Sequence, residues 1–280
     1  MFTTNPFAEL AATISPYIMQ GYVIAMVLLV VGGTLLDVIH KGSARYFFAN
    51  WRDGRKNAER DVGGGKMIGI AVKTAVVDVA ASGEFCNANR RISHLLGMYG
   101  FIAYVVATIV MVFSYAAPGA ATPVIWPVLW HIGALMICVG GYWFWFFIRV
   151  DVAAEGSSPF NLVRADMFIL SLLASATFGL IWSFLQSVAG GVLAGIFLGL
   201  YLIATTVLFA GIPWSKFSHM FFKPAAAFQK RVSKADGSAD NLPLLTRDDP
   251  AQRERHSMGL LKDAPMDMGL GIEREEPRHY

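Results

Sequence analysis

Apolar stretches alternate with short polar ones along most of the chain, and five are long enough to cross a bilayer. They run from Tyr17 to Leu36, Leu95 to Ala117, Ile125 to Ile148, Met167 to Ser187 and Gly191 to Ile212, and none contains Lys, Arg, Asp or Glu. A hydrocarbon core of about 30 Å takes roughly 20 helical residues to span. A helix in the core of a soluble protein is seldom so long and so apolar on every side. The pattern therefore predicts an all-α fold, a five-helix transmembrane bundle with polar extensions. It divides the chain into an N-terminal arm with the first helix (1–39), a loop (40–93), a four-helix part (94–222) and a tail (223–280). Residues 1–16 lack the basic start of a signal peptide and the apolar run after them is too long for one, so the first helix is expected to be retained.

The polar segments differ in character. The loop 40–93 is too long for a plain connection. Gly63–Gly65 interrupts it, and from Lys66 to Ala81 apolar residues (Met67, Ile68, Ile70, Val72, Val76) mix with Lys66, Lys73 and Asp78. That mixture suits a helix lying on the membrane surface or packed under the bundle, and equally a partly ordered basic loop. The fourth and fifth windows are joined by so few residues that they must form a tight antiparallel hairpin. Gly191, Gly195 and Gly199 make a small-residue ridge that would let a neighbouring helix approach closely. From about Lys234 the chain is polar and dotted with prolines, with no core of its own, so it needs a partner to become ordered.

Charge then orients the bundle. Only 15% of the 280 residues are charged while 55% are hydrophobic, against about a quarter charged in soluble domains. All 23 Lys and Arg residues fall on one side of the predicted topology: ten between Lys41 and Arg91, then Arg149 and Arg164, then eleven between Lys216 and Arg278. By the positive-inside rule that side is the cytoplasm, which leaves the N-terminus outside and the C-terminus inside a bacterial cytoplasmic membrane. The net charge of +3 is thus a matter of topology, and no aromatic–basic surface for nucleic acid accompanies it. Two cysteines, Cys86 and Cys138, without a CxxC pair, supply neither a disulfide framework nor an iron–sulfur ligand set.

Histidines are the residues here that could carry chemistry. A b-type haem between helices needs two imidazoles at one membrane depth, with small residues to admit the flat ring. His94, opening the second helix, and His219, just beyond the fifth, meet the depth condition, and Pro213 would kink the last helix without having to end it. Gly97 and Gly100 follow His94 at about one and two turns, and Arg90, Arg91 and Lys216 lie close enough to meet propionates. The same histidines equally suit a plain interfacial role. His131, after Trp126 and Trp130, reads as a residue of the outer aromatic belt. Tyr104 and Tyr201 could approach a quinone or hydrogen-bond between helices.

Two passages add a resemblance. Arg91-Ile-Ser-His94-Leu-Leu-Gly-Met-Tyr-Gly100-Phe is similar to the haem-ligating segment of membrane cytochrome b subunits of the respiratory nitrate reductase gamma type. Within that group it is closest in kind to the membrane subunits of the quinone-interacting membrane-bound oxidoreductase and of heterodisulfide reductase. Pro213-Trp-Ser-Lys-Phe-Ser-His219-Met resembles the same group's motif after the last helix. The run 217–226 and the tail from Arg255 to Ile272 further resemble the membrane anchors associated with dissimilatory adenylylsulfate reductase. The resemblance implies one haem b, held by His94 and His219 on the cytoplasmic side. It also implies a docking surface for a soluble adenylylsulfate reductase-like partner and exchange of electrons with quinone. The second histidine pair of two-haem relatives is replaced here by Tyr104 and Tyr201. The expected function is a non-catalytic or quinone-reactive subunit of an oxidoreductase complex. A cofactor-free membrane anchor is the alternative, and a small transporter a more distant one, since the spans contain neither charges nor a clear repeat.

Overall fold

A computed structural model describes residues 1–238 apart from 41, 84, 86, 150–159, 189, 216 and 218, and only the backbone of 43, 165 and 219. Among the described residues every regular element is helical. The chain forms two compact units, Met1–Ser43 with Asn87–Phe221 and Ala44–Cys86 with Phe222–Tyr280.

The first unit is the bundle. Its five long helices are α2 (Pro16–His40), α5 (Ala88–Ser114), α6 (Ile125–Trp143, prolonged by a π turn Phe144–Ile148), α7 (Met167–Val188) and α8 (Gly191–Ala210), each apolar and long enough to span a bilayer. A short helix α1 (Pro6–Leu10) precedes them. The chain is thus a multi-pass, all-α membrane protein. Helix α5 packs along α6, α7 along α8, and α6 against α7, while α2 leans on α5, α8 and the turn Ile212–Trp214. The core between them holds Trp130, Ala134, Ile137, Met111, Ala107, Ala176 and Trp182, all almost fully buried. The faces turned away from it are apolar too, as at Leu28, Leu36, Val139, Val192 and Ile203. In water such a surface would aggregate, whereas a hydrocarbon solvent suits it.

Three boundaries differ from the sequence expectation. Helix α5 starts at Ala88, because the side chain of Asn87 caps it by accepting from the N–H groups of Asn89 (2.9 Å) and Arg90 (3.2 Å). His94 therefore sits nearly two turns inside the helix. The last span stops at Ala210; a 3-10 turn, Ile212–Trp214, contains Pro213, and a separate helix α9 (His219–Asp236) begins at His219. Proline ends the span here, having no N–H with which to continue the ladder. Finally, α2 runs on to His40, so that Asp37, one residue beyond the apolar window, lies buried within a spanning helix at 3% exposure.

Glycine roles also differ. The expected ridge at Gly191, Gly195 and Gly199 meets nothing within 4 Å. Close approach occurs at Gly100 and Gly133, where α5 and α6 cross. A Cβ on Gly133 would stand 2.8 Å from the Gly100 carbonyl oxygen. The hairpin between α7 and α8 does need glycine: Gly190 and Gly191 have φ of 60° and 74°, a region costly for a side chain.

The second unit contains α3 (Ser43–Lys56, of which Ser43 is counted with the first unit), α4 (Gly64–Lys73, continued by a π turn Thr74–Ala80) and α9 from Phe222. Neither α3 nor α9 was expected from the pattern of apolar residues. Trp51 stacks on Phe228 with centroids 5.7 Å apart and planes at 12°. Arg231 grips Asp78 through three contacts of 2.8–3.1 Å. The Asp236 carbonyl accepts from the N–H groups of Glu59 (2.9 Å) and Arg60 (3.0 Å), and Gly237 at φ 82° ends α9. Order thus continues past Lys234 to residue 238; the rest of the expected tail, with His256 and His279, lies outside the described residues.

Candidate functional site

The described site residues expected from the sequence, Arg90, Arg91, His94, Gly97 and Gly100, lie along the first half of α5. Arg90 is half-buried and Arg91 exposed on the first turn of α5, and His94 is exposed one turn later. Ser93, next to it, is buried and donates its hydroxyl to the Gly140 carbonyl at 2.7 Å, pinning this part of α5 to α6. Gly97 has open space where a Cβ would be, one turn from His94. Gly100 does not: a Cβ there would meet the Gly133 carbonyl oxygen and Met136 Cβ at 2.8 Å each. Of the two glycines proposed to admit a flat ring, Gly97 has open space beside it and Gly100 is occupied by helix packing. His219 is the first residue of α9, in the same unit as His94. Its side chain, like Lys216, lies outside the described residues.

The other end of the bundle is filled. Tyr104 stacks on Trp130 (5.0 Å) and Trp182 on Tyr201 (5.7 Å, 9°). Phe7 from α1 inserts edge-on to Trp130 at 5.9 Å. His131 belongs to this packed layer and is completely buried, which corrects the reading of it as an aromatic-belt residue. Its Nδ1 faces the Pro127 carbonyl at 2.7 Å and its Nε2 the Ser183 hydroxyl at 2.9 Å. A carbonyl only accepts, so Nδ1 carries the proton and the Nε2 of the neutral ring accepts from Ser183. Both nitrogens are engaged, and neither is left to ligate a metal. Sequence reading missed this because Ser183 is 52 residues away on another helix.

Residues 2–9 close that end. Asn5 donates to the Tyr115 carbonyl and to Thr122 Oγ1, both at 3.0 Å, and its carbonyl oxygen caps α1 by accepting from Phe7 and Ala8 N–H. Gln186 reaches over from α7 to the Pro6 carbonyl at 2.9 Å and Glu9 at 3.1 Å.

Between α2 and the α5–α8 face lies a cavity of about 350 Å³, bordered by Tyr22, Met26, Phe101, Tyr104, Tyr201 and Thr205 among others. Its walls are almost wholly apolar. Hydroxyls line one side: Ser175 and Thr205 pair at 2.8 Å, and that of Tyr104 finds no hydrogen-bond partner among the described residues. At the basic end, Arg149 and Asp166 form a nearly buried bidentate ion pair that ties α6 to the start of α7. The Arg149 guanidinium also lies over the Trp145 ring at 4.3 Å.

Fold and site together define the class: a helical, multi-pass membrane protein with the described basic residues Arg90, Arg91 and Arg149 at the ends of α5 and α6 and a packed aromatic layer toward the other ends of those helices. Family models, curated proteins and solved structures contain no match to the chain. Among the described residues no three His, Cys, Asp or Glu side chains cluster as a metal site.

Proposed function

We propose that the chain is a membrane anchor and electron-transfer subunit. On this reading it holds a soluble, adenylylsulfate reductase-like flavin and iron–sulfur enzyme at the cytoplasmic face of a bacterial inner membrane and links it to the quinone pool. The observation that carries the proposal is the pairing of its two histidine motifs. His94 and His219 occur in the two passages that resemble haem-binding segments, and both belong to one unit, His94 in the second turn of α5 and His219 nine residues beyond the end of α8. Open space at Gly97 supports the reading; the filled slot at Gly100 favours the cofactor-free anchor instead.

His94 and His219 would hold the haem, with Gly97 against its edge and Arg90, Arg91 and Lys216 toward its propionates. Bound there, the haem would supply one-electron transfer. The remaining work falls to this chain. Ser93, by its bond to Gly140, fixes the rotation of α5 and so the direction of His94. The apolar cavity beside α2 suits the chain of a quinone, and the Tyr104 hydroxyl, the one of those along its side with its proton uncommitted among the described residues, suits a head-group carbonyl.

The test is a dithionite-reduced minus oxidised spectrum of the purified protein. A b-type α-band, lost in His94→Ala and in His219→Ala, is the expected result. A flat trace removes the haem and leaves the anchor, which co-purification of the reductase in mild detergent then tests separately.

A further inference from the structure

Helix α4 and its π continuation, residues 64–80, show an unusual surface. A single stripe packs inward: Thr74 is buried, and Met67, Ile70 and Asp78 are half-buried. The carboxylate of Asp78, the only acid in the segment, is turned toward Arg231 and neutralised by it. The outward side is apolar, with Ile68 at 67%, Val72 at 57% and Val76 at 58% exposure, and Val77 and Val79 also exposed. At 100° per residue, Lys66 and Lys73 fall together on one flank of the Ile68–Val72 stripe. Both are exposed, and no ion pair holds either among the described residues.

An exposed valine-rich face flanked only by cations is costly in water and suits the boundary between lipid head groups and acyl chains. Lysine stems can lie along the apolar layer there while their ammonium groups meet phosphates. The chain also keeps the segment near a bilayer. Seven residues (81–87) separate its end at Ala80 from the spanning helix that starts at Ala88, a tether of at most about 25 Å. We infer that residues 64–80 form an interfacial anchor whose Ile68–Val72–Val76 face lies in the membrane surface, with Lys66 and Lys73 binding anionic phospholipid head groups.

The experiment uses the full-length protein with Cys86→Ser and Cys138→Ala, carrying Val72→Cys labelled with an environment-sensitive fluorophore. It is reconstituted in phosphatidylcholine vesicles with or without phosphatidylglycerol, and brominated acyl chains serve as quencher. Asp53→Cys on α3, whose native side chain is 68% exposed, gives the water-exposed reference, and Val76→Cys replaces Val72→Cys if that variant does not fold. The expected result is a blue-shifted label at 72, quenched by bromolipid and most strongly with phosphatidylglycerol, beside an unquenched label at 53. Replacing Lys66 or Lys73 by Gln should weaken the preference for anionic lipid by about fivefold each. A label at 72 as wet and as unquenched as that at 53 overturns the inference. Shielding that grows only with protein density in the vesicle also overturns it, assigning the face to a second copy of the chain.

Discussion

Replacing Gly100 and Gly97 by alanine should have opposite consequences, although the two residues are three apart on one helix. A Cβ at position 100 would lie 2.8 Å from a backbone carbonyl oxygen and from Met136 Cβ, and 3.0 Å from the Ile137 nitrogen. None of these atoms can be moved by a rotamer change. Ordinary contact begins at 3.4 Å, so α5 and α6 must separate locally by about 0.6 Å (3.4 − 2.8). Overpacking of this kind costs about 1–3 kcal/mol. The gain in helix propensity offsets about 0.5–1 kcal/mol of it, leaving Gly100→Ala less stable by about 0–2.5 kcal/mol. At Gly97 no atom lies within 4 Å, so only the propensity gain remains, and Gly97→Ala should be neutral to about 1 kcal/mol more stable. Thermal unfolding in mild detergent, followed by near-ultraviolet circular dichroism from the buried tryptophans, measures both. A Gly100→Ala protein as stable as Gly97→Ala would refute the assignment of Gly100 to the helix contact. It would also return Gly100 to the candidate site.

Three further outcomes follow from the side-chain contacts. Asp78→Asn should loosen the second unit by about 1–3 kcal/mol, since it leaves a partly buried guanidinium without its carboxylate; limited proteolysis within 222–238 should quicken, and the swap Asp78→Arg with Arg231→Asp should slow it again. Ser183→Ala should destabilise the bundle by about 0.5–1.5 kcal/mol, the range of interhelical hydrogen bonds in membranes, and leave any haem spectrum unchanged, which chemical denaturation and difference spectroscopy check together. Asn5→Ala removes the donor to Tyr115 and Thr122 and should cost about 1–3 kcal/mol, read as faster amide exchange at residues 6–10.

Spanning segments were legible in the sequence because the bilayer imposes one requirement, about 20 apolar residues, that needs no knowledge of neighbours. Whatever depends on a partner helix was not. Small-residue spacing pointed to Gly191, Gly195 and Gly199, yet the close approach falls at Gly100 and Gly133, since only the facing helix decides which small residue is used. His131 looked like a belt residue beside Trp126 and Trp130, and its partner Ser183 lies on another helix. Helix α9 was obscured by Pro224, which stands inside its second turn, and α3 by its low mean hydropathy. Of the candidate site, the placement of His94 and Gly97 on α5 was readable from local sequence. The loss of Gly100 to packing was not, because it needs the register between α5 and α6.

The seating of residues 2–9 has a consequence for how the protein is made. Pro6 and Glu9 are gripped by Gln186, 180 and 177 residues further along the chain. At about 5–20 residues per second a ribosome needs roughly 10–35 s to make that interval. Asn5 can therefore pair with Tyr115 and Thr122 well before α7 is made, and the seating of residues 2–9 is completed only when Gln186 follows. Until then Phe7 has Trp130 but not Trp182 to pack against, and the aromatic layer is incomplete.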